Sequence, residues 1–133
     1  MIVFIMRGTP GCGKTTWCKR MGKEVICSAD DFFVSPAGVY KFDSEWIESA
    51  HNECVKKFQS LIESRSHVIV VDNPNMKKRD YEFYILEAEK AGYTVEIINL
   101  MPPTFLKALV KGKRNIHGIS EKIISEMYFS YEP

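Results

Sequence analysis

A long apolar run is the first thing this sequence lacks. The run near the N-terminus, Ile2-Val3-Phe4-Ile5-Met6, is closed by Arg7 after five residues, whereas a helix needs about 20 apolar residues to cross a bilayer. Neither a membrane span nor a signal peptide is therefore expected. Charge of one sign is missing too: 18 Lys and Arg stand against 17 Asp and Glu, a net of +1. That excludes a broad basic face, so any nucleic-acid contact should be local. Cysteine is sparse, and Cys12, Cys18, Cys27 and Cys54 show neither paired metal-ligand spacing nor a disulfide framework, which suits reduced thiols in a cytoplasmic enzyme. His51, His67 and His117 share no ligand spacing. Repeats, linkers and low-complexity tracts are absent, and nothing in the chain signals an oligomeric state. With 133 residues, 45% hydrophobic and 26% charged, residues 1–133 are expected to form one domain around one core.

What is present is concentrated just after the first apolar run. Gly8-Thr9-Pro10-Gly11-Cys12-Gly13-Lys14-Thr15 has the P-loop spacing, between an apparent strand and a short helix that takes in Thr16 and Trp17 and is expected to end near Gly22. Gly8, Gly11 and Gly13 are expected to allow positive φ and close backbone approach, so that successive amides point at a phosphate. Lys14 would reach the β and γ phosphates of ATP, and the Thr15 hydroxyl would face Mg2+. Cys12 has two readings. It sits among amides that could stabilise a thiolate, or it is a small residue that fits the loop.

Taken in order, the chain alternates strand and helix. Glu24 to Ser28 reads as a second buried strand stopping at Asp30-Asp31. A helix is expected from an Asp43 or Ser44 N-cap to about Ser64, with Ile47, Ala50, Cys54, Phe58, Leu61 and Ile62 on one face. Val68 to Val71 is the clearest buried strand and ends at Asp72. A helix from about Asp80 to Ala91, a strand from Tyr93 to Ile98, a helix capped by Thr104 and a last helix from Ser120 complete the pattern. This alternation predicts an α/β P-loop kinase fold: a parallel sheet of four to five strands, helices on both faces and a short lid. Ligands bind such sheets beyond the carboxyl ends of the strands, where Gly8, Asp30 and Asp72 should gather.

Asp72 directly after a four-residue apolar strand is the Walker B arrangement, near the metal and its waters; a turn cap is the alternative. Asp30 is a candidate for the carboxylate that accepts a hydroxyl proton, with Asp31 orienting it, although two adjacent carboxylates also suit a solvated turn. In Lys111-Gly112-Lys113-Arg114, Arg114 is the candidate for bridging phosphate oxygens, because a guanidinium binds two at once. Phe32, Phe33, Tyr40 and Phe42 suit either a base-stacking wall or core.

Six stretches recur in order: Gly13-Lys14-Thr15-Thr16-Trp17, Ser28 to Phe33, Ala50-His51-Asn52, Val71 to Asn75, Gly92-Tyr93 and Arg114-Asn115-Ile116-His117-Gly118. Together they resemble the small P-loop kinases that include the 5′-kinase domain of phage-type polynucleotide kinase, and related domains of some eukaryotic ubiquitin-ligase-binding proteins. The resemblance implies ATP and Mg2+ at Lys14 and Thr15, activation of a 5′-hydroxyl by Asp30, support from Asp72 and a lid arginine at Arg114. The implied partner is the 5′ end of DNA or RNA. Phe33 stands where the phage-type enzyme has an acceptor-side Arg, and Asn73 where it has Thr. A small-molecule kinase and a non-catalytic nucleotide-binding module remain the alternatives, since this fold hosts many reactions.

Overall fold

The computed structural model describes residues 1–114 and 118–133. Four strands, β1 (Ile2–Arg7), β2 (Ile26–Cys27), β3 (Val68–Val71) and β4 (Thr94–Asn99), form one sheet in the order β2-β3-β1-β4, every pair parallel. The two central strands, β1 and β3, are nearly unbroken apolar runs because both their faces are covered. On one face Val3, Ile5, Ile69, Val71 and Cys27 pack against α2 (Ile47–Glu63) and α3 (Lys78–Lys90) through Ala50, Cys54, Phe58, Tyr81, Tyr84 and Ala88. Phe58 meets Tyr84 edge to face with ring centroids 5.0 Å apart. On the other face Met6 and Val70 pack with Cys18 and Trp17 of α1 (Lys14–Cys18). Two further helices, α4 (Phe105–Gly112) and α5 (Glu121–Ser130), pack on one another.

Three elements are shorter than expected. The helix expected to reach Gly22 ends at Cys18, and the bond from the Met21 amide to the Cys18 carbonyl, 2.9 Å, tightens the chain into turns. The strand expected over Glu24 to Ser28 keeps only Ile26 and Cys27; Lys23–Val25 curl into a 3-10 turn whose Lys23 carbonyl accepts from Lys57 on α2. Asp43 caps as expected, accepting from the Glu45 amide at 3.0 Å, but it opens a 3-10 turn, Ser44–Trp46, ahead of α2.

Register sets the position of the site. Ile5 and Cys27 both pair with Val71, and Met6 with Ile98. β2 and β3 therefore end level with one another, β1 and β4 end together two residues further on, and the residues that follow each strand share one edge.

Candidate active site

The loop from Gly8 to Gly13 turns off β1 at this edge. Gly11 and Gly13 have the left-handed φ that the spacing predicts, 79° and 108°, and Gly13 serves as the N-cap of α1. Gly8 does not. Its reason is packing, since a Cβ there would run into the Cys12 sulfur and lie 3.4 Å from the Leu100 carbonyl. Cys12 is buried, and its sulfur accepts from the Lys14 ammonium at 3.8 Å. Thr9 is also fully buried, so its hydroxyl faces the interior and has no partner among the described residues. Thr15 and Thr16 are exposed, and Pro10 is half-buried. The Lys14 ammonium folds back over the loop, donating to the carbonyls of Gly8 at 2.6 Å and Thr9 at 3.3 Å. These are neutral acceptors that a phosphate oxygen would outcompete.

Asp72 follows β3 and meets the loop from below. Burial pushes its carboxyl up; the nearby Lys14 ammonium opposes this, and the charges of Asp30 and Asp31 add to it. These four residues therefore share one electrostatic neighbourhood. The Cys18 thiol is close to this carboxylate, and burial followed by the Asp72 charge pushes that thiol up to about 12. The Oδ1 atom of Asp72 is buried without a hydrogen-bond partner among the described residues, and such orphaned acceptors are rare. A cation or its water would satisfy it, so the residues present fit Mg2+, which typically takes one or two protein oxygens and keeps its waters. Among the described residues no group of three or more His, Cys, Asp or Glu could hold a metal unaided.

Asp30 lies on a 3-10 turn, Ala29–Phe33, capped by the Ser28 hydroxyl. Two contacts not foreseen from sequence hold it. The Tyr40 hydroxyl donates to Asp30 Oδ1 at 3.3 Å, brought there by a loop that turns at Gly38, φ 83°, and bridges Val34 to Tyr40. The Asn73 side chain, next to Asp72, accepts from the Ala29 amide at 2.9 Å and donates to the Cys54 sulfur at 3.6 Å. One asparagine thus ties the Asp30 turn to the end of β3 and to α2. Of the four aromatics read as wall or core, Phe33 is core, and Tyr40 and Phe42 pack on it.

The end of α4 lies over the loop. Arg114 donates to the Gly11 carbonyl at 2.8 Å, and a Cβ at Gly11 would strike the Lys111 carbonyl oxygen. The remainder of the expected lid, Asn115, Ile116 and His117, lies outside the described residues. His51 and His67 are exposed on the surface and far from one another in the chain. Lys77, Lys78 and Arg79 lead into α3, where Asp80 accepts from the Lys77 amide at 2.9 Å.

In the sequence Arg7 marks only the end of an apolar run. It is 3% exposed and donates to the carbonyls of Asn75 at 2.8 Å, Met76 at 2.9 Å and Glu132. Its guanidinium lies 4.8 Å from the ring centre of Tyr81 and 4.5 Å from that of Tyr131. The visible signal was the charge itself, at a position in phase with the buried Val3 and Ile5.

Over nearly its whole length the chain is similar to short segments of much longer proteins. It is 28% identical over 138 residues to NEDD4-binding protein 2 of Homo sapiens, covering 99% of this chain and 8% of that protein. YLP motif-containing protein 1 of Homo sapiens is 27% identical over 158 residues, with 98% and 7% covered. Among solved structures, the AvrRxo1-ORF1:-ORF2 complex with ATP superposes with a TM-score of 0.68 at 20% identity, covering 97% of this chain and 46% of that one. A gluconokinase from Sinorhizobium meliloti 1021 gives 0.58 at 11% identity, with 98% and 75% covered. The fold is that of the P-loop kinases, and with residues 3–127 matching the model of the AAA_33 family, described as an AAA domain, the chain belongs to that family.

Proposed function

We propose that residues 1–133 form one P-loop kinase domain that moves the γ phosphate of ATP to the 5′-hydroxyl of DNA or RNA. The observation that carries this reading is the meeting of Lys14, Asp30 and Asp72 at one sheet edge. Its resemblance to the phage-type 5′-kinase domains directs the choice of acceptor.

In this reading the loop amides from Gly8 to Thr16 cradle the phosphates, and Lys14 leaves its carbonyls for the γ phosphate oxygens. Arg114 swings from the Gly11 carbonyl to neutralise the same group. Asp30 accepts the hydroxyl proton as the acceptor oxygen bonds to phosphorus and the bond to the bridging oxygen breaks, releasing ADP. Mg2+, when bound, neutralises phosphate charge, and Thr15 with Asp72 would hold it or its waters.

Incubation with labelled ATP and 5′-hydroxyl oligonucleotides tests the reading. Label at the 5′ end is expected, and its absence across DNA and RNA acceptors would overturn it. The gluconokinase among the structural neighbours favours a second reading, a small-molecule acceptor. That reading expects a sugar or nucleoside to be phosphorylated and an oligonucleotide not to compete.

A further inference from the structure

We infer that Phe32 and Trp46 form the platform on which the first base of the acceptor strand stacks, an inference that rests on Asp30 receiving the hydroxyl proton. Phe32 is two residues beyond Asp30 on the same 3-10 turn, so its ring and that carboxylate are held by one short piece of backbone. Phe33 roots the turn in the core and meets Phe32 edge-on, centroids 5.2 Å apart. Trp46, just ahead of α2, lies alongside Phe32 with centroids 6.4 Å apart and planes only 29° from parallel. Both rings are open to solvent, 38% and 54% exposed. Two large, nearly parallel aromatic faces on and beside the Asp30 turn suit a planar heterocycle.

The surroundings favour an uncharged base over a phosphate. A cleft of about 400 Å³ along Phe32 is lined by Ser28, Asp31, Glu53, Cys54 and Lys57. Its two carboxylates repel phosphate. Its one ammonium, on Lys57, is engaged by the carbonyls of Lys23, at 2.9 Å, and Ile26. A strand that presents its 5′-hydroxyl to Asp30 has its first base as the nearest uncharged, flat group, and stacking accepts any base.

The test uses a single-stranded 5′-hydroxyl oligonucleotide and the same strand with an abasic first nucleotide. In a Trp17→Phe background Trp46 is the only remaining tryptophan. Its fluorescence should be quenched by the intact strand and not by the abasic one. Phe32→Ala and Trp46→Ala should each raise KM for the intact strand about tenfold, leave KM for ATP unchanged and erase the difference between the strands; Trp46→Phe should restore most of it. Equal quenching by the two strands, no quenching by either, or unchanged discrimination in both alanine variants would overturn the inference. Failure of the Asp30 assignment looks different: Asp30→Asn would keep wild-type turnover while the aromatic variants still lost discrimination.

Discussion

The Tyr40 hydroxyl donates to Asp30 across ten residues of chain, at 3.3 Å. Burial, then the Asp30 charge, pushes that hydroxyl up to about 12, so it remains a donor at every pH where a kinase works. The contact holds the carboxylate by one oxygen. Tyr40→Phe should lower kcat about fivefold, the effect of losing one hydrogen bond of about 1 kcal/mol, with KM for ATP unchanged. Steady-state kinetics in both substrates check this, and a change confined to KM for ATP would refute it.

Asp72 should make the ligand-free protein less stable than it would otherwise be. Burial is the largest influence on its carboxyl and raises it; Lys14 opposes, while Asp30 and Asp31 add to the rise. A group raised on folding contributes its stability fully below its unfolded value, near 4, and loses that share as pH rises through the folded value. Asp72→Asn should therefore raise Tm at pH 7 and flatten its pH dependence above pH 4. The same variant should lose the Tm gain that Mg2+ with ATP gives the parent, because a neutral amide takes the place of the carboxylate whose Oδ1 is orphaned. Thermal melts between pH 5 and 8, with and without Mg2+ and ATP, separate the two effects.

Asn73→Ala should mislocate the Asp30 turn without touching the phosphate loop. The Ala29 amide loses its acceptor and is buried, a cost of about 1 to 3 kcal/mol. A drop in kcat of about tenfold with unchanged ATP affinity is the expected kinetic mark, read by single-turnover transfer beside equilibrium nucleotide binding. Weakened ATP binding would show instead that the loop depends on Asn73.

Arg7→Ala should be the most damaging change outside the phosphate loop. It removes a buried guanidinium that satisfies three carbonyls and lies between two tyrosine rings. Hydrogen bonds to a charged group contribute about 1.5 to 3 kcal/mol, so a loss of 3 kcal/mol or more is expected in urea denaturation. Arg7→Lys should recover only part, since an ammonium has no planar fork to span Asn75 and Met76.

The periodic parts of the fold were legible in the sequence. Val68 to Val71, the α2 face from Ala50 to Phe58, and the Ser120 and Thr104 caps are all local patterns, and each appears where expected. The short elements were not. β2 keeps only Ile26 and Cys27, preceded by a 3-10 turn whose Lys23 carbonyl accepts from a lysine 34 positions away, and no local pattern encodes such a contact. The same holds at the site. The glycine spacing marks Gly11 and Gly13 by their φ, but the constraint at Gly8 is the Cys12 sulfur folded back over the loop, which shows only once the loop has its shape. The contacts of Tyr40 to Asp30 and Asn73 to Ala29 join residues that the topology brings together, and their side chains looked like ordinary loop polarity.

The Arg7 clamp also bears on how the chain is made. Arg7 is synthesised 125 positions ahead of one of its acceptors, the Glu132 carbonyl, and the partner strand β4 closes only at Asn99. The nascent chain must therefore carry β1 with this clamp open while those 125 residues are added, a period of about 6 to 25 seconds at about 5–20 residues per second. Until β3 and β4 emerge, the apolar stretch from Ile2 to Met6 has neither partner strand and is open to aggregation and to chaperone capture.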